Sequence, residues 1–258
     1  MPRLKDVGCS LLLCNIEIAI AGDEVLSKFY TRHTSPYLWA IFQNYLGSYY
    51  INRIRGDRQE NLKHAISCYQ AALKVRTREA FSEDWAMTQM NLGNAYWHSE
   101  QFEQAIAAYQ NSLEVYTREA LPEKWARIQN NLGNVYTETE QFEVAIAAYQ
   151  NSLEVYTREA FPEDWANTQN NLGYAYREAG ESEQAISFLK TSLEVRTREA
   201  LPENWALTQH NLGNAYGDLN QIKEAFTHFS SCLEIFQPTA FPLRRVKAGR
   251  DFVDTPRE

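Results

Sequence analysis

The sequence repeats itself every forty residues, and this period constrains the fold more than any other feature. Tryptophan recurs at that spacing as Trp85, Trp125, Trp165 and Trp205, and an Asn-Leu-Gly tripeptide follows each tryptophan at the same distance. A period of this size is typical of arrays of stacked structural units, in which each unit contacts mainly its neighbours. The number of domains therefore does not follow from the chain length, and one extended array is expected.

Each repeat predicts two helices. In the copy from 121 to 160, the first stripe of large or amphipathic side chains has spacings of three and four, which place it on one face of a helix: Trp125, Gln129, Leu132 and Tyr136. A second stripe with the same periodicity follows: Phe142, Ala145, Ile146, Tyr149, Leu153 and Tyr156. Pro162 suits the first turn of the next helix. We call the first helix of each repeat helix A and the second helix B.

The pattern Leu132-Gly133-x-x-Tyr136, then Ala145-x-x-x-Tyr149, then a proline, resembles the tetratricopeptide repeat. That resemblance implies an all-α protein, a right-handed α-α superhelix (a tetratricopeptide repeat solenoid). The long unit is similar to those of kinesin light chains and of the Leu-Gly-Asn repeat scaffold proteins. The run Tyr-Thr-Arg-Glu-Ala, at 116–120 and 156–160, resembles bacterial arrays that precede a caspase-like CHAT peptidase domain.

One departure from the family pattern concerns the tryptophans. Gln129 stands where the family usually has an aromatic residue, and Trp125 lies one helical turn earlier. We therefore expect Trp125, Trp165 and Trp205 to replace that aromatic residue and to be buried between successive repeats.

The repeats divide the chain into three parts. Residues 1–38 are interpreted as a degenerate half repeat, because a shift of 86 aligns Tyr30-Thr31-Arg32 with Tyr116-Thr117-Arg118. This alignment predicts a capping B-type helix from about Asn15 to Arg32, since a solenoid end otherwise exposes an apolar face. Five repeats follow, at 39–80, 81–120, 121–160, 161–200 and 201–236. Residues 237–258 are either a C-terminal cap helix or a frayed tail.

Repeat one carries six extra residues between its glycine and the first alanine of helix B, and this stretch is basic. Arg53, Arg55 and Arg58 cluster there, and Gly56-Asp57 indicates a helix stop followed by an N-cap. Two interpretations stay open: a longer first helix with a solvated turn, or a docking site for an acidic partner.

The charge of the chain indicates which partners it can bind, and its cysteines indicate the compartment in which it works. The net charge is −8, and residues 81–203 hold twenty acidic against eight basic residues, which disfavours nucleic acid. The four cysteines, Cys9, Cys14, Cys68 and Cys232, lack metal-type spacing, as expected in a reducing cytoplasm. The short apolar run ending at Cys14 is a poor export signal, and no run approaches the roughly twenty apolar residues of a membrane helix. We predict a cytoplasmic protein.

The sequence contains no recognisable catalytic constellation. His64 and Cys68 lie four residues apart on one helix, but two such groups form neither a zinc site nor a protease dyad. The carboxylates near helix starts suit the helix dipole. We predict that the protein is not an enzyme and has no catalytic, metal-binding or cofactor-binding residues.

Helical geometry places a set of polar residues opposite Leu132 and Gly133, on the expected concave face. These candidate peptide contacts are Asn94, Trp97, Arg127, Asn130, Asn134, Asn167, Asn170, Tyr174, Arg177, His210 and Asn214. An asparagine amide both donates and accepts, so a ladder of them suits a peptide backbone. Two alternatives stay open: the asparagines solvate the inner surface, or Asn131 and its equivalents bond between neighbouring helices.

These observations predict a scaffold that holds a peptide segment of a protein partner in the concave groove, with the basic turn as the second candidate site. We expect Asn130→Ala with Asn170→Ala to leave folding nearly intact and to abolish binding. We also expect a monomer, with self-association through the array ends as the other possibility. A second hypothesis makes the chain the sensor part of a CHAT protease system whose catalytic domain lies elsewhere.

Overall fold

A computed structural model describes the backbone of residues 4–235 and the side chains of residues 16–233 and 235. This described part consists of eleven α-helices and contains no strand: α1 Leu4–Phe29, α2 Pro36–Asn52, α3 Arg58–Leu73, α4 Ser82–His98, α5 Phe102–Leu113, α6 Pro122–Glu138, α7 Phe142–Leu153, α8 Pro162–Glu178, α9 Ser182–Ser192, α10 Pro202–Asp218 and α11 Ile222–Ile235. The predicted all-α class is confirmed. Residues 237–258, for which a cap helix or a frayed tail was predicted, lie outside the described residues.

Two compact units divide the chain, residues 1–128 and residues 129–258. In the first unit α1 packs on α2, α2 on α3, α3 on α4 and α4 on α5. In the second unit α7 packs on α8, α8 on α9, α9 on α10 and α10 on α11. Helix A of each repeat is α2, α4, α6, α8 or α10, and helix B is α3, α5, α7, α9 or α11. This succession of helix pairs is the predicted architecture.

Within each pair, the glycine of the Leu-Gly dipeptide lies directly against a helix B side chain. A Cβ atom added at Gly133 would come within 2.5 Å of the Tyr149 ring. The same close approach joins the other glycine and helix B pairs: Gly47 with Tyr69, Gly93 with Tyr109, Gly173 with Leu189 and Gly213 with Phe229. Real Cβ contacts are not this short, so only glycine lets the two helices approach to this distance.

The Thr-Arg-Glu-Ala run forms the turn that returns the chain to the next helix A. In each copy the threonine side chain accepts a hydrogen bond from a backbone N–H three residues later, as Thr157 Oγ1 does from Ala160 at 3.2 Å. Side chains of this type stabilise turns by replacing a backbone acceptor. Pro162 then occupies the first turn of α8, as predicted, and Pro202 has the same place in α10.

Helix α1 covers the first repeat, and it is longer than predicted. It runs from Leu4 to Phe29 rather than from about Asn15 to Arg32. Ile20 is 5% exposed and belongs to one apolar cluster with Leu46 and Tyr50 of α2. The Tyr50 hydroxyl also donates to Glu24 Oε1 at 2.9 Å, which fixes α1 against α2.

The six extra residues of repeat one lengthen helix B and the connection before it, not helix A. Helix α2 has 17 residues, as α4 has, whereas α3 has 16 residues and α5 has 12. The interpretation of a longer first helix is therefore wrong. The predicted cap is present, since Asp57 accepts from the Glu60 N–H at 2.9 Å. The helix stop lies earlier than predicted: α2 ends at Asn52 with Arg53 as its C-cap, and Gly56, with a φ of 81°, lies in the connection. Four of the extra residues form one added helical turn, and two lengthen the connection.

The tryptophans are not fully buried, contrary to the prediction. Trp125, Trp165 and Trp205 remain partly exposed. An arginine from the preceding turn covers each ring, as the Arg158 guanidinium does at 5.9 Å from the Trp165 ring centre. The next residue occupies the interior instead, because Ala166 is fully buried and its carbonyl accepts from Ser192 Oγ at 2.8 Å. An alanine there lets the helices approach too closely for a large ring to enter.

The glycine contact predicts opposite effects for the same substitution at two positions. Gly133→Ala should destabilise the protein by about 1–3 kcal/mol, because the new methyl group overlaps the Tyr149 ring. Gly217→Ala is the matched control, since a Cβ at Gly217 meets nothing within 4 Å. It should stabilise helix α10 by up to about 1 kcal/mol. Chemical denaturation of both variants measures the difference, and equal effects would contradict the assigned packing.

Buried tyrosines predict a loss of stability in alkali. Burial, with the nearby Glu83 and Asp84 carboxylates, raises the pKa of Tyr116 to about 12, and burial also raises the pKa of Tyr149 above its usual value. A raised tyrosine pKa gives stability that is complete below the unfolded pKa of about 10 and is lost as the pH rises through the folded pKa. Phenolate absorbance and helical circular dichroism should therefore change together between about pH 10 and 12. Phenolates that form near pH 10 in an intact fold would show that these rings are exposed.

Candidate peptide-binding surface

The predicted asparagine ladder is partly a set of bonds between helices. In the second unit, Asn134 Oδ1 accepts from the Tyr149 hydroxyl at 2.8 Å and from Asn171 Nδ2 at 3.2 Å. Asn171 Nδ2 also lies 3.4 Å from Asn130 Oδ1. The Asn-Leu-Gly asparagine of α8 thus bonds back to α6, one of the two alternatives left open by the sequence.

Asn170 is buried and does not lie on an open face. It is 4% exposed, and its Oδ1 accepts from Asn211 Nδ2 at 3.2 Å and lies 3.0 Å from Thr208 Oγ1. Helix α10 therefore covers this position of α8. The expectation that Asn170→Ala leaves the fold nearly intact conflicts with this burial, because the variant would leave the buried Asn211 amide without this acceptor.

Asn167 stabilises a buried cation. Its Oδ1 accepts from the Arg196 guanidinium at 2.6 Å, and a second Arg196 nitrogen donates to Thr208 Oγ1 at 2.9 Å. Burial lowers the pKa of Arg196 to about 10. Sequence reasoning missed this role, although a signal exists: arginine stands at 76 and 196, where the two intervening repeats have Tyr116 and Tyr156.

The helix B residue that lies on the glycine determines whether the next residue of helix A receives a hydrogen bond from helix B. In repeats two and three this residue is a tyrosine, and its hydroxyl donates to the asparagine side chain, as Tyr149 does to Asn134. Leu189 and Phe229 have no hydroxyl, and the corresponding helix A residues are Tyr174 and Asn214. Both are partly exposed, as Asn94 and Asn134 are, but neither can pair with a hydroxyl at the helix B position.

Four predicted contact residues gather at α8 and α10. The Arg177 guanidinium lies 5.3 Å from the Tyr174 ring centre and pairs with Glu178. Asn214 Nδ2 lies 3.1 Å from His210 Nε2, and the His210 ring packs 5.6 Å from the Phe229 ring. This part of the second unit combines aromatic, amide and charged groups within two adjacent helices.

An open pocket of about 700 Å³ lies beside these residues. Its lining comes from α8, α9, α10 and α11, and it includes Arg177, Glu178, Asn214, Gly217, Asp218 and Phe229. Arg177 and Asn214 belong to the predicted set, whereas Glu178, Asp218 and Phe229 were missed. The signal for the missed residues is the neighbourhood of Gly217, the smallest residue at a position that holds Trp97, Thr137 or Arg177 in the other repeats.

The first unit holds the remaining predicted contacts. Asn94 Oδ1 accepts from the Tyr109 hydroxyl at 2.6 Å, in the same way as Asn134 in the second unit. Trp97 is partly exposed and its ring lies 4.8 Å from that of His98. Arg127 is exposed and pairs with Glu123 at 2.8 Å, one helical turn earlier on α6.

Most of the basic turn is engaged within the protein. Arg53 donates to both Glu17 oxygens at 2.9 and 2.7 Å and therefore connects the turn to α1. Arg58 donates to the Ile51 carbonyl oxygen. Arg55 is exposed, and its carbonyl accepts from Asn61 Nδ2 at 2.8 Å. Two of the three arginines are thus held in place by α1 and α2, which weakens the interpretation of this turn as a docking site.

The repeat pattern matches a known family over most of the chain. The tetratricopeptide repeat profile matches residues 58–118, 84–158, 125–198 and 164–237. The chain belongs to the tetratricopeptide repeat family. Proteins built from these repeats generally mediate protein–protein interactions and are typically non-catalytic scaffolds. No curated relative matches the chain.

Solved tetratricopeptide repeat structures share the fold at low sequence identity. BtubC (BKLC) from P. vanneervenii has 18% identity and a TM-score of 0.69, with 95% of this chain and 97% of that chain covered. A putative kinesin light chain from Podosopora anserina, with nearly identical TPR-like repeats, has 18% identity and a TM-score of 0.61 over 75% and 92% of the two chains. The APC/C hetero-tetramer Cut9-Hcn1 has 21% identity and a TM-score of 0.64 over 88% and 38%. At these identities the likeness concerns the fold alone.

His64 and Cys68, the pair considered as a possible reactive site, are both engaged in packing. The His64 ring stacks on Tyr50 at 5.1 Å, and burial raises the pKa of the Cys68 thiol to about 11, which disfavours the nucleophilic thiolate. Among the described side chains, no three His, Cys, Asp or Glu residues come together as a metal site would require. None of the described helices has the length and apolar character needed to span a membrane.

Asparagine substitutions separate an internal position from an open one. Asn170→Ala should lower the free energy of unfolding by about 1–3 kcal/mol, because the buried Asn211 amide loses an acceptor. Asn214→Ala, at the partly exposed equivalent of Asn134, should change it by no more than about 0.5 kcal/mol. Denaturant melts compare the two variants. An Asn170→Ala variant as stable as the parent would restore Asn170 to the open face.

Proposed function

We propose that the protein is a scaffold that binds an extended peptide segment of a protein partner on the helix A face of its second unit. The observation that carries this proposal is the open pocket at α8, α10 and α11. Arg177 and Asn214 line it, and Tyr174 and His210 contact those two residues. Pockets that bring a few polar groups together with aromatic walls are the usual form of a recognition site.

The side chains of this face suit an extended peptide. The Asn214 amide offers both donors and an acceptor to a peptide backbone. Tyr174 and Phe229 offer aromatic surface, a residue type enriched at binding hot spots. Asn130 and Asn134 are partly exposed and extend the polar surface along α6, although their oxygens also accept from Asn171. Asn167 and Asn170 are left out of this proposal because they stabilise the interior.

A protein partner fits the charge better than a nucleic acid does. Residues 129–235 contain sixteen acidic residues and six basic ones. A phosphate backbone requires clustered positive charge, which this unit lacks in its sequence.

Trp97 of the first unit is a separate, secondary candidate contact, and the cytoplasmic location stays a prediction. A role beside a CHAT peptidase also stays a prediction, since the evidence for it would lie in another domain or chain.

The test uses two double variants of matched size. Tyr174→Ala with Asn214→Ala alters the proposed surface, and Glu143→Ala with Gln150→Ala alters exposed residues of α7. Partners are captured from extract by cross-linking, and overlapping peptides of each captured protein are titrated by fluorescence anisotropy. The first variant should bind the selected peptide at least about tenfold more weakly, the loss expected for hot-spot residues, and the α7 variant should bind normally.

The outcome that contradicts the proposal is equally specific. Equal affinity of both double variants and the parent chain, with unchanged circular dichroism and melting, would show that this face is not the binding site. The Trp97 surface of the first unit would then be tested by the same method.

A further inference from the structure

Repeat five lacks a side chain at one place where the other regular repeats have one. The position next to the end of helix A holds Trp97, Thr137, Arg177 and Gly217 in successive repeats. A Cβ built at Gly217 meets no atom within 4 Å, and Gly217 lines the open pocket. Space for a side chain therefore exists at a point where the chain supplies none.

Repeat four shows what a side chain at this position does. Arg177 rests on the Tyr174 ring at 5.3 Å and pairs with the adjacent Glu178 carboxylate. Its side chain is only 11% exposed, so the cation is held inside the surface rather than in bulk water. The corresponding pair of positions in repeat five is Gly217 and Asp218: the carboxylate is retained, and the cation is missing.

The carboxylate of Asp218 is only weakly engaged by its described neighbours. Its Oδ2 lies 3.9 Å from Arg177 Nε and 3.5 Å from Ser182 Oγ, both longer than a strong charge-assisted hydrogen bond. The Asp218 side chain is 52% exposed. Arg177 also pairs with Glu178, so one cation serves two carboxylates in the pocket lining. The local balance is negative, and the surrounding unit is acidic.

We propose that the pocket at Gly217 receives a lysine or arginine side chain of the partner peptide, whose cation pairs with Asp218 in the way that Arg177 pairs with Glu178. This inference rests on the proposed function, because it names the chemistry of the ligand for the same surface. The aliphatic part of the guest side chain would pack beside Asn214 and Phe229, which line the same pocket. The partner segment is therefore basic at one defined position.

The test uses two small probes that differ only in charge. Acetyl-Ala-Arg-Ala amide and its citrulline counterpart, a neutral isostere, are titrated into the isotope-labelled full chain and followed by amide chemical shifts. The arginine probe should shift the amides of Gly217 and Asp218 and bind about tenfold more tightly than the citrulline probe. Added salt should weaken the arginine probe alone.

Variants of the chain give the matched controls. Gly217→Arg supplies the missing cation from the chain itself and should abolish probe binding, whereas Gly22→Arg, the same exchange at an open position of α1, should bind the probe normally. Both replace glycine within a helix at an open position, so neither threatens the fold. Asp218→Asn should lower the affinity for the arginine probe to that of the citrulline probe.

The results separate this inference from the proposed function. Partner peptides that require Tyr174 and Asn214, but ignore Gly217→Arg and arginine-to-citrulline exchange, would overturn the inference and leave the proposed function standing. Equal shifts with the arginine and citrulline probes would also overturn it. Probe binding that Gly217→Arg removes, with no partner dependent on Tyr174 and Asn214, would support the basic side-chain site and contradict the scaffold proposal.

Discussion

The contact between the Leu-Gly glycine of helix A and the large side chain of helix B is the constraint on which the rest of this structure depends. It brings the helix B ring onto the helix A backbone, as Tyr149 lies on Gly133. At that distance the tyrosine hydroxyl donates to the side chain of Asn134, the residue that follows Gly133. One glycine thus determines both the separation of the helices and the partner of a polar side chain that would otherwise be open to solvent.

The same constraint explains why repeats four and five differ from their neighbours. Leu189 and Phe229 fill the space above their glycines but have no hydroxyl to bond the helix A residue. Tyr174 and Asn214 are partly exposed, and Asn214 lines the open pocket. Similar repeats thus acquire different surfaces through a few exchanges on helices A and B, while the glycine contact between the two helices is kept.

Much of the fold could be predicted from the sequence because its determinants are local and periodic. Helix spacing, the glycines and Pro162 each act within one repeat, and the structure has the corresponding helices. The candidate site was harder to predict, because a helical wheel assumes that the face opposite the core is open. Asn170 lies on that face, but α10 covers it, and Asn167 faces the buried Arg196 instead of solvent. Such contacts depend on how closely neighbouring A helices approach, which no single repeat encodes.

The extra residues of repeat one show how such an array can change length. An added segment of four residues amounts to slightly more than one helical turn, so the side chains beyond it rotate by only about 40°. Tyr69 consequently still lies on Gly47, although the two are separated by more residues than the pairs in later repeats. The two remaining residues lengthen the connection, in which Gly56 turns the chain and Asp57 caps the next helix. Whole helical turns are thus the increments in which a unit of this array grows while its packing register is preserved.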